Sequence, residues 1–150
     1  MINKKLVSIL VGAAVTVLGA GMASARSVPA LQGAPVSGAQ AACFTVDTLS
    51  GAVISNCAAG YAVPASIDTV GNKPISFTSR ATAAGAACRS VKNNRLGTAF
   101  AASPALAVPV AGVPVAQTTA ALPITSVTDV LFLHCNSNAG TRLHEAFWTP

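Results

Sequence analysis

The chain carries few side chains equipped for chemistry: four cysteines, two histidines and four carboxylates in 150 residues. Cys43, Cys57, Cys88 and Cys135 are widely spaced. A zinc site wants tight pairs such as C-x-x-C, so no metal is expected here. An even number of cysteines in an exported chain predicts two disulfides. Four cysteines allow three connectivities. The residues around Cys43 and Cys57 favour pairing those two, which leaves Cys88 for Cys135.

The histidines are His134 and His144, with Asp129 and Glu145 as the nearest acids in sequence. A metal-assisted hydrolase drawn through His134, His144 and Glu145 is the weakest of the functional readings; two strand histidines at or near the surface explain the pattern better. Serines and threonines are plentiful, but none sits in a G-x-S-x-G elbow that would expose a nucleophile. The glycines are scattered and lack a following Lys-Ser/Thr, so no phosphate cradle is expected. Arg89, Lys92 and Arg95 form the one basic cluster, a candidate anion-binding turn whose plainer explanation is a solvated loop. No aromatic residue is interleaved with it, which argues against single-stranded nucleic acid. The expectation is a protein without enzymatic activity or cofactor.

The compartment follows from residues 1–25. Lys4 and Lys5 form a basic head, Leu6 to Leu18 is apolar and uncharged, and the segment ends in Ala23-Ser24-Ala25. That order is the pattern of a cleavable secretory signal, with the cut expected before Arg26. Membrane attachment is expected only if the signal stays uncleaved. Without Lys4 and Lys5 the formal charge falls from +5 to +3, seven bases against four acids. This excess is too mild to indicate a nucleic-acid partner. Charged residues are 9% of the chain, against about 25% in ordinary globular proteins. The remainder suffices for one domain with one core.

The elements expected to hold these residues are mostly strands. Residues 26–42 are Pro, Gly, Ser and Ala without periodicity, and predict a flexible leader. Cys43 to Cys57 predicts a hairpin around Leu49-Ser50-Gly51, with Gly51 supplying positive φ. Counting back from that turn, Val46 faces Ile54 and Cys43 faces Cys57, with Phe44, Val46 and Ile54 on the core face. Further strands are expected near 61–67 and 75–80, separated by a turn at Gly71-Asn72-Lys73-Pro74. Residues 81–91 are ambiguous between strand and a short helical turn. A turn at 92–95 follows.

Ser103 to Gln117 holds a repeat, Val-Pro-Val-Ala at 108–111 and 113–116. Its prolines predict an edge strand or extended loop. The apolar run Val130 to Leu133 predicts a strand covered on both faces. Thr141 to Trp148 returns as the last strand, Leu143 and Phe147 on one face and His144, Ala146 and Trp148 on the other, with Trp148 packing into the core.

Together these patterns predict an all-β domain over 43–150, a small antiparallel two-sheet sandwich stapled by two disulfides. A small barrel, or an α+β fold with a helix near 81–91, are the alternatives. The function expected is structural or binding, in the periplasm, the cell envelope or the medium. The partner is unknown: self-association, or an extracellular or envelope component. A ligand-binding or inhibitory module working through the basic turn is the second reading.

Overall fold

The structure, a computed structural model, describes residues 25–149; the expected export signal lies, but for Ala25, outside the described residues. The described residues form fourteen strands in chain order: β1 Arg26–Pro29, β2 Ala34–Pro35, β3 Phe44–Asp47, β4 Ala52–Ser55, β5 Ala59–Ala65, β6 Gly71–Lys73, β7 Ser76–Arg80, β8 Ala87–Asn93, β9 Phe100–Ala102, β10 Leu106–Ala107, β11 Val115–Thr118, β12 Leu122–Ile124, β13 Val130–Ser137 and β14 Arg142–Trp148. All pairings between these strands are antiparallel. The first sheet runs β11-β7-β14-β4-β3, with β1 also on β14; the second runs β10-β8-β13-β5-β2, with β9 also on β8. A small ribbon, β12–β6, accompanies them. The expected all-β sandwich with two disulfides is what forms.

Alternation builds the core. Leu131, Leu133 and Cys135 of β13, Tyr61 and Val63 of β5, and Phe77 of β7 are all buried. Their period-two spacing sends each to the inner face of its sheet. Trp148 is buried too, and its Nε1 donates to the Ser66 carbonyl at 2.6 Å. One polar cluster of the interior is satisfied internally: Ser90 Oγ donates to Thr119 Oγ1 at 2.6 Å, and the Ile75 amide donates to the same hydroxyl at 3.0 Å.

Both disulfides form as the hairpin favoured, Cys43–Cys57 and Cys88–Cys135. Cys88 and Cys135 are direct partners in the β8–β13 ladder, with Cα atoms 4.1 Å apart. That separation suits a non-hydrogen-bonded antiparallel pair.

Several expectations need correction. Residues 26–42 are not a flexible leader. Arg26–Pro29 pair with Glu145–Trp148, and Ala34 and Pro35 pair with Ala62 and Tyr61. Ala30 is fully buried and its carbonyl accepts the Tyr61 hydroxyl at 3.1 Å. Gly33 permits the docking, since a Cβ there would collide with the Ala62 carbonyl and the Tyr61 ring. The domain therefore begins before residue 43.

The β3–β4 hairpin is one residue out of the expected register. Val46 faces Val53 and Asp47 faces Ala52. The loop gains a residue because the Gly51 amide reaches back to the Asp47 carbonyl at 2.8 Å, and the Asp47 carboxylate accepts the Leu49 amide. Gly51 has the expected positive φ, 68°. Val46 and Val53, as direct partners, point to the same side of the sheet; Val53 on the inner strand β4 is buried and Val46 on the edge strand β3 is exposed.

Gly71–Lys73 pair with Leu122–Ile124 instead of turning the chain. Residues 87–93 are strand, and the turn after them sits at Gly97, which takes the positive φ. The first Val-Pro copy is part of the connection after β10 and the second runs into β11; both strands lie at sheet edges. In β14 the register shifts between Leu143 and Glu145. This bulge puts Leu143, Ala146 and Trp148 inward together, against the simple alternation expected.

The Cys88–Cys135 bond closes the longer loop and lies in the core. On the chain-entropy account it contributes about 4 kcal/mol, against about 3 kcal/mol for Cys43–Cys57. Thermal unfolding of the two double-alanine variants should therefore show the larger drop in Tm for Cys88→Ala/Cys135→Ala. An equal or smaller drop would assign the dominant staple to the surface bond.

Candidate functional site

The outer face of the second sheet carries the groove of interest. Register places its side chains in rows across the strands. One row is Ala62–His134–Arg89, and the next is Pro64–Phe132–Val91–Ala102. Phe100 stands opposite Asn93 at the edge of the same face. Val36 closes the other side; its amide donates to the Gly60 carbonyl at 2.9 Å, and Gly60 leaves just enough room for its side chain. The groove encloses about 380 Å³ between Val36, Phe132, Phe100, Arg89 and His134, with Ala62 and Val91 in its floor.

Its walls are mainly apolar. Phe132 is half-buried and Phe100 is 66% exposed. The polar groups stand side by side: Arg89 and His134 are direct cross-strand partners. Burial, together with the neighbouring Arg89 charge, lowers the His134 pKa below its ordinary 6.5. At neutral pH His134 is therefore uncharged and Arg89 is the cation of the groove.

The sequence-derived basic cluster does not form one patch. Arg89 and Lys92 are three residues apart on a strand, so their side chains leave opposite faces. Lys92 turns away from the groove, donating to the Pro123 carbonyl at 3.0 Å and pairing with Asp129 at 3.7 Å. Arg95 is exposed in the turn beyond β8. Arg89 alone of the three lines the groove.

The two histidines are also separated. β13 and β14 belong to different sheets, so the last two strands do not form a hairpin. His134 lies on the outer face of the second sheet. His144 lines a polar hollow of about 340 Å³ with Glu145, Thr78, Ser50, Pro29 and Pro114. These residues belong to the first sheet and its turns. The bulge in β14 lets the consecutive residues His144 and Glu145 both reach that hollow. Among the described residues no group of three His, Cys, Asp or Glu side chains is placed to hold a metal ion.

Phe132 escaped the sequence reading. The run Val130 to Leu133 suggested a strand covered on both faces, but β13 alternates between buried and open positions. Apolar Val130 and Phe132 at the outward positions were the available signal for an apolar outer patch.

No protein-family model matches this chain, and no curated protein matches it in sequence. Its fold is similar to that of several solved structures. One is the C-terminal CBM6 of LamC, a marine laminarinase from Zobellia galactanivorans. Its TM-score is 0.54 at 17% identity, over 85% of this chain and 100% of the module. A second is the GH26-CBM35 β-(1,4)-mannanase of Podospora anserina, with TM-score 0.59 and 14% identity over 84% of this chain and 27% of the enzyme. A third is the carbohydrate-binding module CBM36 in complex with calcium and xylotriose, with TM-score 0.53 and 13% identity over 82% of this chain and 98% of the module. At these identities the likeness shows the fold: an antiparallel β-sandwich of the kind these carbohydrate-binding modules share.

Both histidines have lowered pKa values. For His144 the causes are burial, then Arg80 and Arg142, opposed by Glu145 and Asp47. Just below pH 6.5 the unfolded chain then binds protons that the folded chain refuses, so stability falls as pH falls from 7.5 towards 5. His134→Gln/His144→Gln should flatten that slope in urea titrations read across the window. A slope equal to that of the unsubstituted protein would remove the histidines as its source.

Proposed function

We propose that this protein is an exported, non-enzymatic binding module that takes a saccharide in the groove on the outer face of its second sheet. The observation that carries this reading is the outward-facing Phe132 in an open, mainly apolar groove, flanked by Arg89 and His134. A pyranose ring presents one face rich in C–H groups, which an aromatic ring covers, and a rim of hydroxyls, which need polar partners. Apolar walls with a few convergent polar groups are the usual make-up of a small-ligand site. A rigid sheet holds such a site in place with little loss of entropy on binding. The fold likeness to carbohydrate-binding modules supports the same reading.

The absence of enzymatic activity remains part of the proposal. The buried hydroxyl network of Ser90, Ser103 and Thr119 includes no histidine or carboxylate that would activate a nucleophile. Export is supported by the sequence pattern of residues 1–25 and by the two disulfides, which persist in oxidising compartments.

Native electrophoresis in gels containing soluble laminarin, xylan, glucomannan or pectin should show retarded migration in at least one. Phe132→Ala should weaken the effective gels about tenfold, the equivalent of about 1.4 kcal/mol. Unretarded migration in all four, or retardation indifferent to Phe132→Ala, would reject the groove as a saccharide site. Protein recovered from outside the cytoplasm should begin at Arg26 by intact mass and carry both disulfides. A species retaining Lys4 and Lys5 would contradict cleavage.

A further inference from the structure

Among the described residues the cation of the groove has no counter-charge. Arg89 Nε is buried without a hydrogen-bond partner. The four side-chain carboxylates lie elsewhere. Asp68 pairs with Arg26, and Asp129 with Lys92. Asp47 accepts the Leu49 amide in its own hairpin turn. Glu145 lies in the hollow of the opposite sheet. No carboxylate lines the groove. A half-buried guanidinium beside apolar walls loses hydration without gaining a partner, which opposes folding. A bound anion would restore what is lost.

Resting on the saccharide reading above, we propose that the groove selects acidic glycans: a uronate residue lays its ring on Phe132 and directs its carboxylate to Arg89. The guanidinium is a planar fork matched to a carboxylate, which it holds through two parallel hydrogen bonds. Phe132 and Arg89 are diagonal neighbours on adjacent strands, since His134 is the direct partner of Arg89. Diagonal neighbours stand about 7–8 Å apart, a span that a sugar ring with its carboxylate and an arginine side chain cover together. His134, uncharged at neutral pH and next to Arg89, adds a ring nitrogen for a sugar hydroxyl without a second competing cation. The other side chains lining the groove, Val36, Ala62, Val91, Phe100, Phe132 and His134, carry no negative charge, so none repels an incoming carboxylate.

The inference is tested by calorimetric titration of the disulfide-intact protein. The probes are tetragalacturonate, tetramannuronate and a hyaluronan tetrasaccharide, each compared with its methyl ester. The ester keeps the rings and removes the charge. At least one acid form should bind tenfold or more tightly than its ester, and rising salt should erode the difference. Arg89→Gln should abolish the preference, bringing acid and ester to the same affinity. Arg89→Lys should recover only part of it, because an ammonium lacks the fork.

Equal affinity of acid and ester on all three scaffolds, or a preference surviving Arg89→Gln, overturns the inference. A neutral oligosaccharide that binds and is lost with Phe132→Ala would, in that event, leave the saccharide reading standing. No binding by any oligosaccharide, charged or neutral, overturns both.

Discussion

The disulfide between Cys88 and Cys135 joins directly opposed residues of β8 and β13 inside the core, and the groove on the other side of those strands depends on it. Strands have a period of two, so a one-residue slip in this ladder would reverse every side chain of one strand. With the bond made, no slip is possible. Arg89 must stand opposite His134, and Val91 opposite Phe132. The inner residues of the same two strands, Leu131, Leu133 and Ser90, are fully buried. Core and groove are thus two faces of one register, locked by one covalent bond.

A chain so poor in charge places unusual weight on where its few charges go. Two ion pairs tie loops down: Arg26 to Asp68 near the start of the fold, and Lys92 to Asp129 beside β13. Asp47 is spent on a turn. Of the charges that remain, Arg89 stands on the outer face of the second sheet, while Arg80, Arg142 and Glu145 surround His144 on the first. The two sheets therefore present different surfaces, one apolar with a lone cation and one polar. The bulge in β14 is responsible for the second, because it alone lets consecutive residues share a face.

Much of the architecture was legible from local pattern. Residues 59–65, 76–80 and 142–148 lie within or close to the expected strands because alternation and β-branched residues marked them. Gly51 took positive φ as its position demanded. Two of the misreadings share one cause: a distant segment supplied the partner. Residues 26–42 lack periodicity, yet they dock because Gly33 admits the backbone against β5 and Ala30 fits under Tyr61. Gly71–Lys73 look like a turn, yet β12 recruits them. Phe132 looked like core because its neighbours in sequence are.

The amino-acid sequence by itself determined the class of the fold, the number of staples and the scarcity of catalytic groups. These follow from composition, spacing and short-range alternation, which need no partner to be read. Tertiary structure alone decided the groove. It separated Arg89 from Lys92 across a strand, sent His134 and His144 to different sheets, and set Phe132 beside Val91 on an open face. Those relations depend on which strand pairs with which and in what register. That choice is made by burial and by the Cys88–Cys135 bond across 47 residues of chain, a distance over which local pattern carries no information.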